Sequence, residues 1–105
     1  MPFNLTIETE AELAARDAVG FSIAVKAEAG RRILALCPEW KQRNLTAQAS
    51  ILAEKGRATW SPEEQAAWDD GEALWTQIAA IRTRSNEIEA MDPPPADPTD
   101  DALWP

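Results

Sequence analysis

The chain contains no histidine and only one cysteine. Without histidine it lacks the commonest metal ligand and the commonest general base near neutral pH. The lone Cys37 excludes an internal disulfide and fits a reducing compartment. No Gly-rich phosphate loop, Ser/His/Asp set or cluster of metal-ligand residues occurs in the sequence. No basic N-terminal stretch leads into an apolar run, so no secretory signal peptide is read. No run approaches the roughly 18 apolar residues that a membrane span needs. These absences set the first expectations: a soluble, non-secreted protein that is not an enzyme, with no cofactor, no metal and no membrane partner.

What is present is a chain of 105 residues, 45% of them hydrophobic, much of that share alanine. That length allows one domain with a thin core. Five tryptophans (Trp40, Trp60, Trp68, Trp75 and Trp104) supply the bulk that two Phe and two Met do not. The net charge of −8 is unevenly spread, with −3 over residues 1–20, +4 over 21–57 and −9 over 58–105. A basic middle between acidic ends predicts either that the ends fold back over it or that it meets an acidic partner.

The order of signals predicts an all-α protein. Phe3, Leu5 and Ile7 alternate with polar residues, which reads as an extended N-terminal arm over 1–8. Thr9 with Glu12 forms a capping-box signature, and helical spacing continues to Leu36 through Leu13, Arg16, Gly20, Ile23, Ala27, Gly30 and Leu34. Gly20 offers an alternative break in that helix, since a glycine in a helix interior costs about 1 kcal/mol against alanine. Pro38 opens a second helix after almost no loop, and Gly56 closes it. Ser61-Pro62-Glu63-Glu64 is the clearest helix start in the chain. The helix that follows carries a seam of Ala67, Gly71, Leu74, Ile78, Ile81, Ser85 and Ile88 at spacings of three and four. The expected helices therefore span about 9–36, 38–56 and 62–91, the first and third forming an antiparallel coiled-coil-like hairpin with the middle helix alongside. A parallel homo-oligomer through the third helix is the rival assembly. Residues 92–105 hold four prolines and four aspartates within Asp92–Asp101 and read as a disordered acidic tail. Its apolar tip gives a sharper alternative, a docking peptide whose Trp104 fills a partner's pocket.

Candidate chemistry is sparse. Cys37 is expected to be a small buried hydrophobe, since no base accompanies it. Of the carboxylates Asp69, Asp70 and Glu72, only Asp69 and Glu72 share a helix face, and they read as a solvated surface. Arg31, Arg32, Lys41, Arg43, Lys55 and Arg57 with Trp40 form a basic-aromatic set, but the acidic net charge argues against nucleic acid as the partner. Protein contact is the expectation that remains. The densest polar-aromatic run, Trp40-Lys41-Gln42-Arg43-Asn44, is its candidate surface, with Trp104 a second one.

The string Cys37-Pro38-Glu39-Trp40-Lys41-Gln42-Arg43-Asn44-Leu45-Thr46-Ala47 resembles a segment of small tailed-phage proteins of the tail-fibre and tail-fibre-assembly type. The second part of that resemblance is Trp60-Ser61-Pro62-Glu63-Glu64, followed by Trp68, Trp75, Ile78, Ile81, Arg82 and the run Ser85-Asn86-Glu87-Ile88-Glu89-Ala90. It covers roughly residues 25–91 and leaves out the arm and the tail. The resemblance implies a phage or prophage protein that contacts a tail or tail-fibre protein, as a minor structural component or an assembly factor. Its location would then be the virion tail, or the host cytoplasm during assembly. The alternative expectation is a small acidic phage inhibitor of a host protein, mimicking nucleic-acid charge through residues 63–101.

Overall fold

A computed structural model describes residues 9–105, and the arm expected over 1–8 lies outside the described residues. The chain is all-α, with α1 at Glu10–Leu36, α2 at Glu39–Lys55 and α3 at Pro62–Glu89. Two 3₁₀ turns, Arg57–Thr59 and Asp101–Leu103, complete it. The expected boundaries match within two residues, because the caps that set them are local. Thr9 Oγ1 accepts from Glu12 N at 3.1 Å, while the Thr9 N–H donates back to Glu12. Ser61 Oγ accepts from Glu64 N at 3.1 Å and Ser61 N donates to Glu64 Oε1 at 2.9 Å. Gly56 ends α2 at a φ of 89°, a conformation that side chains with a Cβ rarely adopt. α1 runs unbroken through Gly20.

α3 is the spine of the arrangement. It starts beside the end of α2, where Lys55 pairs with Glu64 at 2.8 Å, and finishes beside the middle of α1, where Lys26 pairs with Glu89 at 2.9 Å. Its first half therefore packs antiparallel to α2 and its second half antiparallel to the C-terminal half of α1. The expected seam of α3 is the one used, with Gly71, Ile78, Ile81, Ser85 and Ile88 buried. End-to-end placement of α1 and α2 along one rod makes the molecule long. Its radius of gyration is 21.0 Å, against about 13 Å for a compact chain of this size.

The buried face of α1 differs from the expected one. Val25, Glu28 and Ala29 are buried, with Phe21, Ile33 and Leu36 packed against them, whereas Ile23 and Leu34 of the expected stripe are exposed. At about 100° per residue the two stripes lie on nearly opposite sides of the helix. The stripe that faces α3 is the one interrupted by Glu28 and Arg32. Both are accommodated because they pair: Arg32 Nε meets Glu28 Oε2 at 2.6 Å, and Arg31 bonds Glu28 as well. These two arginines hold the Glu28 carboxyl below its ordinary pKa, Arg31 more than Arg32, against the opposing effect of burial.

The tail also differs from its expected state. Residues 92–105 are not disordered; they fold back onto α1 and α3 and supply part of the core. Trp104 is 7% exposed and packs in one cluster with Val25, Ala29, Ile81 and Ile88. Its Nε1 donates to Pro98 O at 2.9 Å, and the Arg32 guanidinium lies 5.3 Å from its ring centroid. Arg32 Nη2 also reaches Asp101 Oδ1 at 2.5 Å and Thr99 O at 3.0 Å, and Arg84 Nε donates to Leu103 O at 2.5 Å. The Pro/Asp composition that reads as disorder instead makes turns. Asp97 Oδ1 accepts from both the N–H and the hydroxyl of Thr99, and Asp100 Oδ1 caps the last turn from Ala102 N. Part of the acidic end thus does fold back over the basic middle.

Candidate protein-contact face at the helix corner

The corner between α1 and α2 is built in three residues. Cys37 ends α1 in extended conformation, with its N–H on Ile33 O at 2.7 Å. Pro38 is the N-cap of α2, and its carbonyl accepts from both Lys41 N and Gln42 N at 3.0 Å. Proline disfavours helical geometry in the residue before it, which is why the break falls at Cys37. Cys37 is fully buried, as expected of a small hydrophobe without a base. Gln42 Nε2 then donates to Cys37 O at 2.7 Å, closing the corner across five residues.

Five of the six expected contact residues fall on this corner, and they divide. Trp40, Lys41, Arg43 and Asn44 are exposed, with Trp40 at 61%. Gln42 is half-buried and turned inward, so it fixes the corner instead of presenting itself. Trp104 is not brought to the corner. It is enclosed between α1, α3 and its own tail, where its indole is already occupied.

The basic set divides in the same way. Arg31 and Arg32 are bound to Glu28, Lys55 is bound to Glu64, and Arg57 lies over the Trp60 and Trp68 rings at 5.0 and 5.9 Å. Lys41 and Arg43 remain exposed beside Trp40. Among the described residues no group of three or more His, Cys, Asp or Glu is placed to hold a metal ion, and no helix is long and apolar enough to cross a membrane.

Sequence reasoning missed two features. One is the Glu28–Arg32–Asp101 relay that ties the tail to α1; the four-residue spacing of Glu28 and Arg32 was its only signal. The other is a small open groove of about 110 Å³ between α2 and the start of α3, lined by Leu45, Leu52, Trp68, Gly71 and Trp75. At its end the Trp60 and Trp68 rings meet at 5.0 Å, and Trp60 Nε1 donates to Leu52 O at 2.8 Å. The Trp68 Nε1 is buried with no hydrogen-bond partner. The small side of Gly71 leaves this groove open, since a Cβ there would meet Leu45 only at 3.7 Å.

No family model, curated protein or solved structure matches this chain.

Proposed function

We infer that the protein works by protein–protein contact, without catalysis, through the outward face of α2 at the corner. The observation that carries this is Trp40. A large aromatic side chain is held in solvent on a corner that Pro38 and Gln42 make rigid, with Lys41, Arg43 and Asn44 around it. Exposed Trp and Arg on a preformed surface are the side chains most often found as anchors of binding energy. The acidic partner that Lys41 and Arg43 favour is then met by direct charge pairing at the rim of the contact.

The partner proposed is a phage tail or tail-fibre protein. Support for that identity comes from the resemblance of residues 37–47 and 60–90 to small tail-fibre-associated proteins. The chain acts there as a minor tail component or as an assembly factor in the host cytoplasm. Pull-down of fibre proteins from infected cells tests it, comparing the natural chain with Trp40→Ala/Arg43→Ala. Loss of the fibre protein with an unchanged helical circular dichroism spectrum is the expected result. Retention of binding by the folded double variant removes this surface from consideration. Mass spectrometry of purified particles then separates a component that stays in the virion from a factor that leaves it.

A further inference from the structure

Leu13, Val19, Ile23, Leu34, Trp40 and Ile51 are between 38% and 65% exposed. They lie on the sides of α1 and α2 turned away from α3. At about 100 Å² each they present on the order of 600 Å², the upper end for the largest apolar patch of a monomer and most of the roughly 800 Å² that each partner gives to a specific complex. Along α1 this face also carries Gly20, Ala27 and Gly30 between the large residues. Neither Gly20 nor Gly30 has any atom within 4 Å of where a Cβ would stand, so packing inside the monomer does not call for them. Each nevertheless makes the helix less stable than alanine would at the same position. A backbone arriving from outside the monomer accounts for both.

We propose that this face binds a second copy of the chain, forming an antiparallel homodimer whose two-fold axis passes near Ala27. The orientation follows from size and charge. Counting outward from Ala27 in opposite directions brings Ile23 of one copy to the level of Gly30 of the other, and Leu34 to the level of Gly20. A large side chain thus meets a small one at each step, which lets the helices approach closely. At the ends, Leu13 reaches the level of the other copy's Trp40. The start of α1 carries Glu10, Glu12 and Asp17 against Arg16, while the opening of α2 carries Lys41 and Arg43. The antiparallel arrangement sets these opposite charges together at both ends; a parallel one stacks like on like. An isologous contact of this kind closes on itself and leaves no open end. It also covers residues 13–20 of α1, which project past α3 and are exposed throughout.

The dimer does not rest on the tail-fibre assignment; it engages the same Trp40, Lys41 and Arg43, so dimer and fibre-bound monomer are alternative states of this corner, and both tests of the dimer leave Trp40 and Arg43 intact. Sedimentation equilibrium of the full chain is expected to give a dimer in the micromolar range. Ile23→Glu/Leu34→Glu should yield a monomer of unchanged helical content. A monomeric natural protein overturns the proposal, as does a dimer or trimer that survives the double substitution. Orientation is read by disulfide trapping, with the natural chain as the blank because Cys37 is fully buried. Ile23→Cys mixed with Gly30→Cys should cross-link, whereas each alone should not. Self-linking of each single variant as efficient as the mixture indicates a parallel pair and overturns the antiparallel arrangement.

Discussion

Replacing Trp104 by alanine removes the residue that closes the core from the end of the chain. The indole is 7% exposed, so almost all of its surface leaves water on folding. Truncation of a buried aromatic residue to alanine costs about 3–5 kcal/mol, transfer and cavity together. Two further interactions go with it, the Nε1 bond to Pro98 O and the Arg32 guanidinium over the ring, which places the loss toward the upper half of that range. Domains of this size are stable by about 5–15 kcal/mol in total, so roughly a quarter or more of the stability resides in one side chain of the tail. Urea unfolding followed by circular dichroism, at matched protein concentration, measures the difference by linear extrapolation. In a thermal scan the same loss corresponds to a fall of roughly 15–30 °C. Deleting residues 92–105 should cost at least as much as Trp104→Ala. A loss below about 1 kcal/mol for the substitution would mean that the tail does not hold its place and that Trp104 is not part of the core.

Two other outcomes follow from the geometry. Glu28 has its folded pKa lowered below 4.5, mainly by the Arg31 hydrogen bonds, so its contribution is present at neutral pH and is lost as pH falls through the folded value. Glu64 and Asp97 are lowered in the same sense, by Lys55 and by Thr99 respectively. Stability should therefore decline on acidification below about pH 4.5, and Glu28→Gln should make the decline shallower in urea titrations across that range; an unchanged slope counts against the pairing. Gly71→Ala places a methyl group in the groove at ordinary contact distance from Leu45 and should raise stability by about 0.5–1 kcal/mol. A destabilised variant would show that the helices there cannot accept a Cβ.

How much of this was legible differs from element to element. The starts of α1 and α3 were readable because Thr9-Glu12 and Ser61-Pro62-Glu64 carry their capping chemistry within four residues. The seam of α3 was readable because it is nearly all apolar or small. The inward face of α1 was not, for this helix has two stripes. An apolar template prefers Ile23-Ala27-Leu34 to a stripe containing Glu28 and Arg32. The buried stripe packs on Ile81 and Ile88 of α3, and Asp101 and Trp104 return from the far end of the chain to meet its Arg32. For the same reason the tail's composition does not disclose its order: two apolar residues at its tip decide its fate, and proline and aspartate supply the turns. At the corner, Trp40 was legible as exposed, while the inward turn of Gln42 depends on where the Cys37 carbonyl points after the break.

The splint-like position of α3 also sets the order in which the chain is economical to assemble. The contact between Lys55 and Glu64 closes a loop of nine residues, while that between Lys26 and Glu89 closes one about seven times longer, which costs about 1.7 kcal/mol more in chain entropy. Loop closure therefore favours the α2–α3 hairpin as the first tertiary contact. Yet that hairpin buries little, with Leu52 the one buried side chain of α2 and an open groove beside it. The early contact is local and weak; the late one, in which α1 and the tail meet the second half of α3, holds the buried core. A chain in which only α2 and α3 have paired thus holds the helix pair without the part that fixes it, and its core is complete only once Trp104 packs against α1 and α3.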